Sequence, residues 1–450
     1  MSDQLARDLA AVVGPAHVLT DPDLTASYSV DWSRRYRGPV AAAVRPADTD
    51  EVAGVLRVAA EHGVPVIPQG GNSGLVGGSV PGPASAPSVV LSTRRLTRLD
   101  PVDDLAGQVT AGAGVTLAAL RRHAHAAGWD YGVDLAAREV ATVGGTIATN
   151  AGGIRVCCYG MTRRQVVGVE AVLADGTVVE HLGGLPKDNT GYDLVGLLVG
   201  SEGTLGVVTA ARLALVRPVR ASAVALVGVD SAADAMALVR RSVPEGTRLL
   251  AAEIVDAEVL RLVCEVNHLP APLPVETPHV LTIETESPAA GEIALDLPED
   301  RVAVVATTGA DRERLWAYRE KVGETITAVT VPHRFDVSVP LEAWDAFAHA
   351  CRARLADVPD VERFLVFGHV ADGNLHLEVV GPAPEDERSA EVVLTTVAEH
   401  GGSISAEHGV GRQKAAYLHL TRSPAEIAVM RAVKAALDPT GLLNPGVLLA

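Results

Sequence analysis

The sequence predicts an α+β protein of more than one domain, and two observations support this prediction. The 450 residues are too many for one ordinary hydrophobic core. Short strand-like runs alternate with segments of helical spacing, such as 48–62, which begins with a capping Asp48. Aromatic residues make up only 3% of the chain, so the cores are expected to consist mainly of Val, Leu and Ala.

The predicted elements divide the chain into three parts. Residues 1–217 form a first domain, which begins with an amphipathic helix and has strands predicted at 39–44, 64–67, 88–91, 107–111, 167–173 and 207–215. Residues 218–385 form a second α+β domain, with a strand at 222–229 and a helix at 231–242. Residues 386–450 form a C-terminal helical segment whose last helix, 423–437, ends before Asp438-Pro439.

Charge and composition exclude several classes of protein. The net charge of −17 argues against nucleic acid as the main partner, because phosphate binding needs a basic surface. No apolar run reaches ~18 residues and the N-terminus lacks a signal-peptide pattern, so no transmembrane segment and a cytoplasmic location are predicted, with peripheral attachment to a membrane left open. The four cysteines lack CxxC spacing, and the adjacent Cys157 and Cys158 are expected to be buried and inert.

Three glycine-rich stretches indicate a bound cofactor. They are PQGGNSGLVGGSVPG at 68–82, ATVGGTIATNAGG at 141–153 and GSEGTLGVVT at 200–209. Glycines let the backbone approach a ligand closely, and successive N–H groups can hold a pyrophosphate. The first stretch alone is equally typical of a surface turn, whereas three in one domain are far less so. The dinucleotide fingerprint is incomplete at Gly112-Ala113-Gly114, so a Rossmann fold is not favoured.

A histidine pair in the second domain suggests a metal site. In FLVFGHVADGNLHLEVV at 364–380, Asp372-Gly373 predicts a two-residue hairpin turn, which places His369 opposite His376. Two imidazoles on one face can share a metal at Zn–N distances of ~2.1 Å. Phe367 and Glu378 share that face by alternation. A later segment, AEHGVG at 406–411, offers Glu407 as a third ligand and His408 as a neighbouring base.

In this order the motifs resemble the vanillyl-alcohol-oxidase-type FAD-binding proteins, in particular the branch of D-lactate, glycolate and D-2-hydroxyglutarate dehydrogenases. The resemblance extends through HVADGNLH, AEHGVG and LNPG at 443–446, and so covers essentially the whole chain. It implies FAD with its pyrophosphate on the 68–79 loop and a C-terminal segment that returns to the FAD site. Many members attach FAD through a His in the first glycine loop. Here that loop has Asn72 and no His, so non-covalent FAD is predicted.

The resemblance also implies roles for individual residues. A divalent metal, usually Zn, is expected on His369, His376 and Glu407, with His408 as the base and with Arg319 and Arg334 holding the substrate carboxylate. The residues expected to contact FAD lie in the glycine stretches and the last motif: Pro68, Gly70, Gly71, Asn72, Ser73, Gly74, Leu75, Gly78, Ser79, Thr142, Gly144, Gly145, Ala148, Thr149, Asn150, Gly152, Gly153, Glu202, Gly206, Val207, Val208 and Asn444.

The implied reaction is oxidation of a D-2-hydroxy acid by hydride transfer to the flavin. Glu378 stands where the D-2-hydroxyglutarate branch typically has Asn, and Gly323 where it tends to have a hydroxyl residue. A D-lactate-like substrate is therefore expected over D-2-hydroxyglutarate.

Several alternatives stay open at this point. They are a D-2-hydroxyglutarate dehydrogenase, a flavin-binding subunit without catalysis, a non-redox flavoenzyme such as an ether-lipid synthase, and a metal hydrolase. The electron acceptor is expected to be a quinone, an electron-transfer protein or oxygen, and a homodimer is one open assembly.

Overall fold

The computed structural model describes residues 3–287 and 292–449, and the chain folds into two compact units. The first unit combines Met1–Gly153, Gly160–Pro218 and Glu407–Ala450. The second combines Ile154–Tyr159 with Val219–Ala406. Both units contain helices and sheets, which confirms the predicted α+β class.

Two four-stranded sheets organise the first unit. One has the order β1-β2-β4-β3, with β2, β4 and β3 parallel and β1 antiparallel to β2. The other is antiparallel, with the order β5-β8-β6-β7. The strands are β1 Val18–Leu19, β2 Val40–Val44, β3 Val66–Gln69, β4 Ser88–Ser92, β5 Gln108–Gly112, β6 Val166–Val172, β7 Val178–His181 and β8 Val207–Ala214.

The second unit is built on one seven-stranded antiparallel sheet. Its strand order is β12-β9-β11-β10-β14-β15-β13, and every pairing in it is antiparallel. The strands are β9 Ser222–Val229, β10 Leu249–Asp256, β11 His279–Glu286, β12 Ala303–Ala306, β13 His333–Ser338, β14 Arg363–His369 and β15 Asn374–Val380.

Several of the longer helices begin at a capping side chain, as the sequence predicts for the helix that follows Asp48. Asp48 accepts from the backbone N–H of Glu51, and Ser423 and Glu426 form a capping box. The helices are α1 Asp3–Val13, α2 Pro22–Thr25, α3 Thr49–Glu61, α4 Leu117–Ala126, α5 Val143–Thr149, α6 Val156–Tyr159, α7 Thr162–Gln165, α8 Leu194–Leu198, α9 Ala232–Ser242, α10 Ala257–Val266, α11 Gly309–Glu320, α12 Val322–Val329, α13 Trp344–Leu355, α14 Arg388–Glu399 and α15 Pro424–Leu437. None of the helices in the described ranges is long and apolar enough to cross a bilayer.

The cores have the aliphatic character expected from the composition. In the first unit, Leu5, Leu9 and Val13 of α1 pack with Val52 and Leu56 of α3 in one large cluster of Val, Leu and Ala. The expectation of a buried cysteine pair is wrong, because Cys157 is exposed and Cys158 is half-buried on the short helix α6.

The hairpin that carries the histidines differs from its prediction by two residues. The turn has four residues, 370–373, so His369 pairs with Asn374 and His376 pairs with Phe367. The predicted pairing of His369 with His376 is therefore wrong. Side chains alternate with a period of two, so a shift of two residues keeps both histidines on one face, with Phe367 and Glu378.

Candidate active site

The first glycine stretch begins at the end of β3. Some of its glycines are closely packed against other residues, and others have open space beside them. A Cβ on Gly71 would lie 1.9 Å from the carbonyl oxygen of Val140, and one on Gly70 would lie 2.4 Å from Thr142 Oγ1. These two glycines are required because the second glycine stretch packs against them. A Cβ on Gly74 would meet nothing closer than 3.8 Å, so the backbone there has room beside it for a ligand.

Asn72 and Ser79 shape this loop through their side chains. The Asn72 amide donates to the carbonyl oxygens of Ser27 and Val30, at 3.2 and 2.9 Å, which engages both of its hydrogens. Ser79 Oγ donates to Asn72 Oδ1 at 2.9 Å. A hydrogen bond from Asn72 to a ligand would therefore come from its backbone N–H.

The second glycine stretch is partly a helix. Thr142 caps α5 by accepting from the N–H of Gly145 at 3.3 Å. At the other end Asn150 has φ 50°, and its Oδ1 accepts from the N–H of Arg163 at 2.8 Å. A Cβ on Gly144 would lie 2.7 Å from Ala113 Cβ, so this glycine lets the helix pack closely on its neighbour.

Glu202 and Asn444 join the three stretches inside the first unit. The backbone N–H of Glu202 donates to Ala148 O at 2.8 Å, and its carboxylate accepts from the N–H groups of Val410 and Gly411, each at 2.8 Å. The amide of Asn444 donates to Gly78 O and Glu202 O, each at 2.8 Å. Burial raises the pKa of Glu202, against the two N–H groups and the nearby Lys414.

Backbone conformation also marks this region as special. Asn72, Asn150, Glu202 and Asn444 all have positive φ, between 45° and 55°, and represent half of the eight non-glycine residues with positive φ in the described chain. Such conformations cost ~1–3 kcal/mol each and concentrate at functional sites. Their coincidence with the predicted cofactor motifs is therefore evidence for a site.

The residues present fit a cofactor such as FAD. Asn444 is 1% exposed, and its Oδ1 has no hydrogen-bond donor among the residues that the structure describes. A buried acceptor of this kind costs ~1–3 kcal/mol unless a ligand or water donates to it. Thr142 of the second stretch also lines a cavity of about 440 Å³, whose wall includes Arg94, Gly114, Val115 and Val140.

The other predicted FAD residues lie on the same three stretches. Pro68 belongs to β3, and Val207 and Val208 begin β8 directly after Gly206. The remaining ones lie in the loops or in α5: Ser73, Leu75, Thr149, Gly152 and Gly153.

In the second unit, four ionisable side chains form a buried row across neighbouring strands. Glu253 on β10 is paired with His369 on β14, and Asp336 on β13 is paired with His376 on β15. His369 Nδ1 lies 2.6 Å from Glu253 Oε1, the two Nε2 atoms lie 3.1 Å apart, and His376 Nδ1 lies 3.8 Å from Asp336 Oδ1. All four side chains are buried.

The histidine pair fits a divalent metal. Two nitrogens bound to one tetrahedral ion at ~2.1 Å would be ~3.4 Å apart, close to the Nε2–Nε2 distance of 3.1 Å. Metal-binding histidines usually donate from their other ring nitrogen to a carboxylate or a carbonyl oxygen, and Glu253 lies in this position beside His369 Nδ1.

Both predicted substrate arginines make ion pairs with buried glutamates. Arg319 Nε lies 2.7 Å from Glu253 Oε2, and Arg334 Nε lies 3.1 Å from Glu378 Oε2. Arg334 also donates to Thr327 Oγ1 at 2.6 Å. Burial raises the pKa of Glu378 to about 7, although Arg334 opposes this shift.

Glu407 and His408 begin the C-terminal segment of the first unit, with Glu407 Oε1 3.6 Å from His408 Nε2. Their assignment as third ligand and base stays a prediction. The residue before them, Ala406, belongs to the second unit and donates its N–H to Asp336 Oδ2 at 3.1 Å.

Sequence reasoning missed Glu253 and Asp336. Glu253 lies between apolar residues in LLAAEIVD, and Asp336 lies between Phe335 and Val337 in HRFDVS. Acids are almost never fully buried unless they are paired, so an acid flanked by apolar residues in a strand is a usable signal. It does not identify the partner, which here lies 116 residues away for Glu253.

Comparison with known families agrees with these features. A family described as "FAD binding domain" matches residues 40–181, and one described as "FAD linked oxidases, C-terminal domain" matches residues 219–448. The chain is 38% identical to the mitochondrial D-2-hydroxyglutarate dehydrogenase of Bos taurus, over 97% of this chain and 82% of the relative. It is 36% identical to the D-2-hydroxyglutarate dehydrogenase of Stutzerimonas stutzeri (strain A1501), over 99% of both chains.

Solved structures share the fold at low sequence identity. A 4-ethylphenol oxidase from Gulosibacter chungangensis has a TM-score of 0.73 and 18% identity, covering 99% of this chain and 96% of its own. An alkyldihydroxyacetonephosphate synthase has a TM-score of 0.73 and 16% identity, covering 99% of this chain and 85% of its own. At these sequence identities, the comparisons show a shared fold and nothing about activity.

Proposed function

We propose, because this chain belongs to the family of FAD-linked oxidases, that it is an FAD-dependent dehydrogenase that oxidises a D-2-hydroxy acid to the 2-oxo acid. The observation that carries the proposal is the buried row of Glu253, His369, His376 and Asp336. A flavin-binding subunit without catalysis would not need such a row. A metal hydrolase would leave the FAD-binding domain unexplained.

The proposed mechanism assigns metal binding, proton transfer and hydride acceptance to different groups. His369, His376 and Glu407 would hold a divalent metal, with Zn²⁺ as the proposed ion. When bound, this ion would lower the pKa of the substrate 2-hydroxyl. His408 accepts the proton of that hydroxyl. FAD supplies the hydride acceptor. The final electron acceptor, a quinone or an electron-transfer protein, stays a prediction.

Arg319 holds the carboxylate that all 2-hydroxy acids share. Its Nε is bound to Glu253, which leaves the two terminal NH₂ groups of a planar guanidinium for a substrate carboxylate. Phe367 supports the guanidinium, whose carbon lies 4.9 Å from the ring centroid.

A D-lactate-like substrate is proposed over a dicarboxylate because Arg334 is already paired. Glu378 accepts from Arg334 Nε in a buried setting, so this cation has an anion partner before any substrate arrives. A second substrate carboxylate would have to displace Glu378 or lie near it without compensation, which is costly where solvent is scarce. Tails without charge, or with a hydroxyl or amino group, avoid that cost.

The substrate preference is tested by comparing D-lactate with D-2-hydroxyglutarate. We expect the higher kcat/KM for D-lactate. Glu378→Gln should move the ratio towards the dicarboxylate, because Arg334 then loses its anion partner. The ratio of two substrates on one variant cancels losses of folded protein. A preference of wild type for the dicarboxylate by more than about tenfold, or ~1.4 kcal/mol, would contradict the assignment.

D-2-hydroxyglutarate itself is the second candidate substrate. The observation that favours it is that the two dehydrogenase relatives described above, at 36–38% identity, are named for it. Anaerobic flavin bleaching across a panel of D- and L-2-hydroxy acids distinguishes both substrates from a non-redox flavoenzyme, whose flavin none of them would bleach.

FAD is expected to be bound without a covalent link. The first glycine stretch contains no His, and the side chain of Asn72 is held by Ser27, Val30 and Ser79. Acid precipitation should release all the flavin into the supernatant. Yellow colour that stays with the pellet of wild type but not of Cys158→Ser would reveal an attachment at Cys158 instead.

A further inference from the structure

One carboxylate joins the proposed metal site to the proposed substrate arginine. Glu253 is 1% exposed, and each of its oxygens has one partner: Oε1 lies 2.6 Å from His369 Nδ1, and Oε2 lies 2.7 Å from Arg319 Nε. No role in the reaction has so far been given to this residue.

A structural requirement alone does not account for Glu253. It lies on the central part of β10, among Ala251, Ala252 and Ile254, where an apolar residue would pack without desolvation. Replacing a buried ion pair by apolar residues is often neutral or stabilising. A carboxylate at such a position that contacts two proposed functional side chains points to a role in their geometry.

We propose that Glu253 is a positioning residue that fixes His369 with Nε2 directed to the metal and Arg319 with its terminal NH₂ groups directed to the substrate. The inference rests on the proposed function. Because Oε1 accepts from Nδ1–H, the imidazole is held as the tautomer whose Nε2 carries a free lone pair. The same carboxylate holds the Arg319 guanidinium through Nε. One side chain therefore fixes the orientation of the metal ligand His369 relative to the arginine that binds the substrate carboxylate.

Asp336 does not share this arrangement. It lies 3.8 Å from His376 Nδ1, beyond hydrogen-bond distance, and its oxygens accept from Asn374 Nδ2 and from the N–H of Ala406 at 2.8 and 3.1 Å. The distance of 2.6 Å between Glu253 Oε1 and His369 Nδ1 is thus much shorter than the 3.8 Å between Asp336 Oδ1 and His376 Nδ1.

The chain offers a closely matched control on the next strand of the same sheet. Glu284 on β11 is also buried, and its carboxylate is paired with Arg155 at 2.8 Å. It also accepts from Ser222 and Trp316. Glu253 and Glu284 thus share residue type, sheet, burial and an arginine partner, but only Glu253 contacts a proposed metal ligand.

The experiment measures Zn²⁺ affinity rather than activity. Wild type, Glu253→Gln and Glu284→Gln are loaded with FAD, stripped of metal and titrated with Zn²⁺ against a chromophoric chelator. We expect Glu253→Gln to bind Zn²⁺ about 10–100-fold more weakly, which is the usual effect of removing such a carboxylate. Glu284→Gln should bind Zn²⁺ like wild type. The Co²⁺ visible spectrum should change in Glu253→Gln alone.

Glu253→Gln leaves the buried Arg319 without its anionic partner, which can prevent folding. A second variant therefore removes the arginine as well. The double variant Glu253→Gln/Arg319→Met removes the buried cation, and its Zn²⁺ affinity should still be reduced. Arg319→Met alone keeps the Glu253–His369 contact, and should retain Zn²⁺ affinity while raising KM.

The outcomes separate this inference from the proposed function. If wild type takes up no stoichiometric Zn²⁺ or Co²⁺, the metal assignment fails, and this inference fails with it. If wild type binds Zn²⁺ and either Glu253 variant binds it equally well, the positioning role is overturned and the metal site stands. An equal loss in Glu253→Gln and Glu284→Gln would also overturn it, because that loss would reflect sheet stability.

Discussion

His376→Ala is expected to lose the metal and to reduce turnover to background while FAD stays bound. The side chain faces His369 across 3.1 Å in the second unit, whereas the predicted FAD contacts lie in the first unit. The two sites use different residues, so removing one ligand should not release the flavin. Metal content is measured by elemental analysis, FAD by its absorption spectrum and turnover with D-lactate and a dye acceptor.

His333→Ala is the matched control for this variant. His333 is also a buried histidine, on β13 of the same sheet, and its Nε2 contacts Ala383 O at 2.9 Å rather than another histidine. It should lose stability without losing the metal. Chelation of wild type should have the same effect as His376→Ala, and addition of Zn²⁺ should restore the rate. Full activity in a metal-free preparation would refute the metal assignment.

The hairpin shows how far local sequence determines such a site. Asp372-Gly373 correctly indicates a turn, but a turn signal does not fix the number of residues in the turn. In the structure Gly373 has φ 80°. Its carbonyl oxygen accepts from the N–H of Val339, the residue that follows β13. The strand pairing in this hairpin differs from the predicted pairing by two residues. The histidines still meet because an even shift preserves the face of each side chain.

Contacts between distant segments could not be predicted in the same way. The capping residue Asp48 accepts from the N–H of Glu51, three residues further along the chain, so its sequence signal is local and correctly predicts the start of α3. Glu202 was predicted as a cofactor residue. In the structure its carboxylate binds Val410 and Gly411, which lie 208 and 209 residues further along the chain. Composition and periodicity carry no information on such pairs, because the fold alone brings them together.

His408→Ala is expected to lower kcat by roughly a hundredfold or more, the usual scale for a general base, with metal and FAD retained. His408 lies beside Glu407, with Nε2 and Oε1 3.6 Å apart, and is only partly buried, as a base that must reach a substrate hydroxyl has to be.

The variant His419→Ala controls for the loss of an imidazole from the same segment. His419 is exposed, its Nδ1 lies 2.9 Å from Ala416 O in its own turn, and its replacement should leave the rate unchanged. Added imidazole should restore part of the activity of His408→Ala, because a small base can occupy the space of the missing ring, and should do nothing for His376→Ala. If His408→Ala instead loses the metal, or keeps a wild-type kcat, His408 is not the base and the proton is taken by another group.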